Sequence, residues 1–245
     1  MDDNSTKTAA LQQRIASQAN QSIDLNKWIF RQIEVKETDN ILELCCGTGA
    51  QTAYFSERIC AGTIHCVDLS AETIQTNKRN VENNTITYSI ANIDDVDIYA
   101  QNKYDFIFSS YGFYYSKDAK NLHGQLKQRL VEGGHFVIVG PVLGNNKELY
   151  EIMSMIKSPI SKEILYSSER FMLDFLEIFI RSYTHVKFTR VENKVMYKSI
   201  SDLINYWKNT TFYVKGLEKD FEREASNLFQ GDVRITKSIA ILDGF

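Results

Sequence analysis

"ILELCCGTGA", residues 41–50, joins an apolar run to a carboxylate, two adjacent cysteines and two glycines. Two kinds of chemistry compete for it. The cysteines suggest a metal or redox centre, and the glycines suggest a backbone that must come close to a ligand. The chain has four cysteines, Cys45, Cys46, Cys60 and Cys66. No pair has C-x-x-C spacing, and no His/Cys cluster completes a zinc set. Adjacent side chains at a strand end point to opposite sides, so Cys45 and Cys46 are poorly placed to hold one ion. They read as small buried hydrophobes, and no metal is expected. The glycines carry the functional reading.

Outward from this stretch, short apolar runs alternate with helical patterns. Strands are expected at 40–45, 62–69, 85–92, 104–110 and 131–141, with helices at 49–60, 70–83 and 116–130 between them. Ser70 is the expected N-cap of the second of these helices. Such alternation argues for βαβ units and a parallel sheet covered by helices on both faces. "FVIVG" (136–140) has the unbroken apolar character of a strand buried on both sides. A helix is expected over 8–34. After residue 142, helices are expected at 146–157, 168–182, 199–209 and 216–229, and strands at 185–191 and 233–244.

In an open parallel sheet, ligands sit beyond the carboxyl ends of the strands. Gly47 and Gly49 lie in the first strand-to-helix loop, where missing Cβ atoms allow a sharp turn and close approach. Nineteen residues after Gly49 comes Asp68, at the end of the second strand. A carboxylate there can accept from both hydroxyls of a ribose. A dinucleotide fingerprint would require glycine at position 52, which is Thr52. Glu43 at the strand end would repel a pyrophosphate and suit a cationic amino-acid tail. The pattern E-x-x-x-G-x-G therefore favours S-adenosylmethionine over NAD.

"ILELCCGTG", "HCVDLS", "ANIDDVD", "YDFIFSSYGFYY" and "LVEGGHFVIVGP" together resemble class I S-adenosylmethionine-dependent methyltransferases, in order and in spacing. The similarity is greatest to the small-molecule branch that includes the ubiquinone and menaquinone biosynthesis enzymes. It covers about residues 35–142. It implies a doubly wound, mostly parallel seven-stranded α/β sheet. S-adenosylmethionine would be the cofactor and S-adenosylhomocysteine the product. Glu43, Cys45, Gly47, Thr48 and Gly49 would line the methionine side. Asp68 would hold the ribose, Leu69 would pack on the adenine, and Asn92 and Ile93 would sit at its edge. Ser109 would approach the methionyl amine through its carbonyl. Cys45 stands where the family usually has glycine, and Asn92 where aspartate is commoner.

Transfer from a sulfonium is an in-line displacement, so the protein mainly positions and desolvates the acceptor. The loop after the fourth strand, "SSYGFYYSKD", offers Tyr111, Tyr114 and Tyr115 for positioning. Tyrosine ordinarily titrates near about 10, which makes it a poor base at neutral pH. His123, on the next helix, is the one histidine expected near the site.

The chain of 245 residues reads as one domain. Residues 1–34 would form an N-terminal helical lid and 35–142 the cofactor core. Residues 143–184, with their Met and Phe stripe, would form a substrate cap, and 185–245 the closing strands and helices. The balance of 28 basic against 31 acidic residues shows no nucleic-acid footprint. The apolar runs fall far short of the ~20 residues of a membrane span. The loop typical of amide and base N-methylation, [DNS]-P-P-[YFW], is missing. A cytoplasmic monomer or homodimer methylating a small metabolite is expected, in a bacterial biosynthetic pathway by family analogy. Two alternatives remain: a nonenzymatic cofactor-binding partner, and a protein or RNA methyltransferase working with a partner.

Overall fold

The computed structural model describes residues 8–99 and 102–245. The chain runs α1 (Thr8–Ser17), α2 (Leu25–Gln32), β1 (Asn40–Leu44), α3 (Ala50–Ser56), β2 (Thr63–Asp68), α4 (Ala71–Asn80), β3 (Ile86–Ile90) and β4 (Tyr104–Ser110). It continues with α5 (Ala119–Lys127), β5 (Leu130–Pro141), α6 (Lys147–Met155), α7 (Lys162–Leu165), a π-helical turn (Tyr166–Arg170), α8 (Phe171–Ser182), β6 (Val186–Tyr197), α9 (Ile200–Lys208), α10 (Glu218–Leu228) and β7 (Val233–Gly244).

Among the described residues, seven strands form one sheet in the order β3-β2-β1-β4-β5-β7-β6. The pairs β3/β2, β2/β1, β1/β4 and β4/β5 are parallel. At the far end, His185 and Phe245 exchange both backbone hydrogen bonds at 3.0 Å, as in an antiparallel pair. The start of β6 thereby meets the end of β7, which makes these strands a hairpin. The order reverses between β1 and β4, and this defines the functional edge. Leu44 lies level with Val67 of β2 and Ser109 of β4, so the residues that follow all three emerge side by side. β1 and β4 are apolar because both faces are covered: Ile41, Leu42, Leu44, Phe106, Ile107 and Phe108 are fully buried. Phe55 of α3 meets Phe106 and Phe108 edge-on at 6.0 and 5.1 Å.

The helix expected over 8–34 is broken. Residues 18–24 leave the helical path and pair with the edge of β6. Gln21 bridges Val195 antiparallel, Ser22 donates to the Lys194 carbonyl, and Met196 donates to that of Asn20. Buried Asn193 holds the break, accepting from the Ile23 N–H and donating to the Ile23 carbonyl and the Gln21 side chain. β6 is correspondingly longer than the strand expected over 185–191. Ser70 caps α4 as expected, accepting from the Thr73 N–H at 3.2 Å.

The chain divides into two compact units. One comprises Asn26–Gly140, Met172–Thr189 and Ala240–Phe245, and contains the whole βαβ series. The other comprises residues 8–25, Pro141–Phe171 and Arg190–Ile239. Its core gathers Leu149, Ile152 and Met153 of α6, Leu203 and Trp207 of α9, Phe221 and Ala225 of α10, and Ile235 of β7. Trp207 stacks on Phe221 with ring centroids 4.3 Å apart. The Met and Phe stripe is mainly packing: Met153, Phe171, Met172, Phe175 and Phe179 are buried, whereas Met155 and Ile180 are exposed. No helix among the described residues is long and apolar enough to cross a membrane.

Candidate cofactor site and its buried supports

The glycine loop turns through three left-handed residues, Cys45 (φ 55°), Gly47 (φ 56°) and Gly49 (φ 93°). Glycine takes this conformation freely, while a side chain there costs about 1–2 kcal/mol. Cys45 therefore carries backbone strain at the position where the related pattern has glycine. Its side chain fills the space beside Gly112: a Cβ on Gly112 would lie 2.3 Å from the Cys45 Cβ and 2.6 Å from its sulfur. Gly49 faces a similar restriction, since a Cβ would come within 2.5 Å of the Asn77 side-chain oxygen.

Asp68 links the loop to β2. One carboxylate oxygen accepts from the Gly47 N–H and the other from the Ser70 N–H, both at 3.0 Å. A carboxylate oxygen accepts more than one bond, so capacity remains on both. Leu69 beside it is 58% exposed, an apolar surface suited to a flat ring. Thr48 is fixed through its carbonyl by the Asn80 amide at 2.9 Å.

Glu43 takes a different position from the one its sequence context suggests. Its carboxylate does not project from the strand end. It is 1% exposed and accepts from the Thr52 hydroxyl at 2.7 Å and the Cys66 thiol at 3.5 Å. The physical reason is that β1 is central, with both faces covered, so its fourth residue has no solvent side. Burial pushes the Glu43 carboxyl up to about 7, against the lowering effect of the Thr52 and Cys66 bonds. Asn77 of α4 extends the network, donating to the Thr52 oxygen at 3.0 Å and the Gly47 carbonyl at 3.4 Å, and accepting from the Tyr88 hydroxyl. Glu43 thus braces the loop from below. Cys46 and Cys66 are buried and their thiols are raised above the ordinary range; Cys60 is exposed, unlike a packing residue.

Asn92 follows β3 with an exposed side chain that accepts from the Asp94 N–H at 3.0 Å. The Ile93 side chain is buried, and its carbonyl accepts from Tyr99 at 2.6 Å. Asp94 in turn receives the Ser116 hydroxyl at 2.5 Å and the Lys117 N–H at 3.0 Å, joining this loop to the one after β4. Before that second loop, β4 ends with Ser109 and Ser110, whose buried hydroxyls have no hydrogen-bond partner among the described residues. Tyr111 is left-handed (φ 55°) and donates its N–H to the Val139 carbonyl at 2.8 Å. The rings of Tyr114 and Tyr115 lie 4.8 Å apart, and Tyr115 is 56% exposed. His123 is a core residue: it is buried against Phe136 and Phe179 and bonded to the Tyr183 hydroxyl at 3.0 Å. Burial, with Lys127 nearby, pushes its imidazole down to about 4.

The register thus brings Cys45 to Gly49, Asp68, Leu69 and Ser109 to one edge of the sheet. Asn77, Asp94 and Gly112 were not singled out from sequence, and Thr52 only as the residue standing where a dinucleotide fingerprint has glycine. Asn77 carried a signal, a polar residue at helical spacing from buried Thr73 and Ile74; Asp94 and Gly112 carried none. The donor set suits a ligand with a diol beside Asp68, an apolar ring on Leu69 and a polar group near the unpartnered Ser109 hydroxyl.

A methyltransferase domain family matches residues 41–134, the stretch from β1 into β5. Residues 41–134 are a methyltransferase domain. Two curated relatives, malonyl-(acyl-carrier protein) O-methyltransferases 1 and 2 of Ilyobacter polytropus, are 31% and 29% identical over 140 and 143 residues. These alignments cover 57% and 58% of this chain and 50% and 53% of the relatives. The chain thus spans about half the length of the curated relatives it matches. A putative methyltransferase from Bacillus halodurans superposes with a TM-score of 0.65 at 8% identity, over 89% of this chain and 96% of its own. Geranyl diphosphate C-methyltransferase from Streptomyces coelicolor, solved with S-adenosyl-L-homocysteine, gives 0.52 at 15%, over 90% and 79%. The fold around the domain is that of class I S-adenosylmethionine-dependent methyltransferases.

Proposed function

We propose that the protein transfers a methyl group from S-adenosylmethionine to a small-molecule acceptor. The observation that carries this reading is the glycine loop tied to Asp68 through the Gly47 N–H, within the matched domain. Asp68 and Leu69 would hold the nucleoside, with Asn92 and the Ile93 backbone at the adenine edge. Gly47, Thr48 and Gly49 would face the methionine portion, with Ser109 near its amine. Cys45 shapes this wall through its left-handed backbone, and Glu43 acts only by bracing the loop. The bound cofactor supplies a methyl group on a sulfonium, displaced in line. The chain's own part is to orient the acceptor and exclude water, for which Tyr111, Tyr114 and Tyr115 are the candidates.

The relatives' name supports an oxygen acceptor. It also favours a second reading, in which the acceptor is an acyl group carried on a partner protein. Transfer from methyl-labelled S-adenosylmethionine into a host extract, separated by size, distinguishes the two. Label in small molecules supports the first, label on protein the second, and no label in either fraction counts against both. Asp68→Ala should weaken S-adenosylmethionine binding about 100-fold in a calorimeter, the loss of charge-assisted hydrogen bonds to the ligand and loop. Unchanged affinity would remove the assignment of this site.

A further inference from the structure

The second unit contains a buried cation whose surroundings are incomplete. Lys237 of β7 is 7% exposed. Its ammonium donates to the Asn146 side-chain oxygen at 2.6 Å and to the Tyr206 hydroxyl at 2.5 Å, and lies 4.6 Å from the Tyr206 ring centroid. Among the described residues, no carboxylate is within ion-pair distance of it. A buried charge normally has an opposite charge beside it, because desolvation is otherwise uncompensated. Glu148 does not serve: its two oxygens accept from the N–H and hydroxyl of neighbouring Thr236.

The donors also do not balance. An ammonium has three N–H donors, and Lys237 uses two. Tyr206 accepts from Lys237, and no acceptor for its own proton is present among the described residues. Tyr197, whose ring lies 5.6 Å from that of Tyr206, has a buried hydroxyl with no hydrogen-bond partner among the described residues. Asn146 adds a further sign of a built arrangement. It sits left-handed (φ 56°) at the start of α6, but its side chain does not cap the helix. Its oxygen is given to Lys237 instead, at the cost of backbone strain.

We propose that Lys237, Tyr206 and Tyr197 form a binding site for the carboxylate of a small molecule, with Asn146 orienting the ammonium. One positive charge and two neutral hydroxyl donors match a singly charged, two-oxygen group. A phosphate dianion would require a second cation, and Lys194 of the same unit is bonded to Thr236 instead. The site stands on this unit alone and is independent of the cofactor reading.

The test is thermal melting of the full chain, without cofactor, titrated with sodium acetate at constant ionic strength, with chloride and inorganic phosphate as parallel arms. Acetate should raise the midpoint saturably. Lys237→Met should weaken acetate binding at least about tenfold, with partial recovery in Lys237→Arg. Tyr197→Phe removes a hydroxyl that bonds nothing among the described residues, so it should fold normally and weaken acetate about fivefold. Three outcomes would overturn the proposal: no saturable shift, equal shifts in the parent and Tyr197→Phe, or phosphate binding as tightly as acetate.

Discussion

Each unit buries an ionisable side chain at the centre of a polar network with no opposite charge beside it, Glu43 in one and Lys237 in the other, and the two solve the problem differently. Glu43 lies in a closed network: Thr52 and Cys66 donate to it, Asn77 joins Thr52 to the Gly47 carbonyl, and the carboxyl can take up a proton because burial raises it to about 7. Lys237 lies in an open one, where the Tyr197 hydroxyl is unpartnered and a third N–H remains unused. A closed network reports on architecture, because removing a member leaves another group unsatisfied. An open one reports on a ligand, because something outside the chain must complete it.

The largest expected effect tests the closed network through pH. The folded-state pKa of Glu43 is raised above its unfolded value, so the folded protein binds the extra proton between about pH 4.5 and 7. Stability from this group is therefore full below that window and falls as pH rises through it, by about 3 kcal/mol in all. Glu43→Gln cannot titrate. Urea unfolding should show the variant gaining about that amount on the parent between pH 5 and pH 8, and a constant difference would break the comparison. Next comes Thr52→Val, which strips a donor from Glu43 and an acceptor from Asn77. It should cost about 2 kcal/mol at pH 8, read as a lower urea midpoint with unchanged slope. Lys237→Met, measured without added anion, should be neutral or more stable by about 1 kcal/mol, since an uncompensated charge is replaced by an apolar chain. Smallest is Tyr197→Phe, expected within about 0.5 kcal/mol of the parent in the same unfolding assay, because no bond is lost.

The contrast also explains which features could be read from residues alone. Strands β1, β4 and the end of β5 were legible because a strand buried on both faces is an apolar run, and "FIF" and "FVIVG" have no other good use, whereas β2 and the half-exposed edge strand β3 were legible from their alternation with helices. The glycine loop and Asp68 were legible because their spacing follows from one strand, one turn and one helix. The direction of Glu43 was not, since alternation along a strand says which residues share a face, not that both faces are covered. The break in the first helix depends on Asn193, some 170 residues away in sequence. In the second unit α6, α9, α10 and β7 fall within the expected stretches, but their assembly was not legible, since the unit is built from three separated segments. Lys237 stands in "VRITKSIAIL", where a lysine between Thr236 and Ser238 reads as a solvated position. Only its surroundings from α6 and α9 reveal a buried ammonium.

The strip at residues 20–22 that pairs with Lys194–Met196 has a consequence for the behaviour of shortened forms. β6 is the last strand in the sheet order, so its outer backbone would otherwise present free N–H and C=O groups to any passing strand. The strip occupies that row near the C-terminal end of β6. Trimming the chain to Asp24 would leave the methyltransferase domain of residues 41–134 untouched and uncover a template for edge-to-edge association. The strip between the first two helices thus covers a sheet edge as much as it shapes the fold.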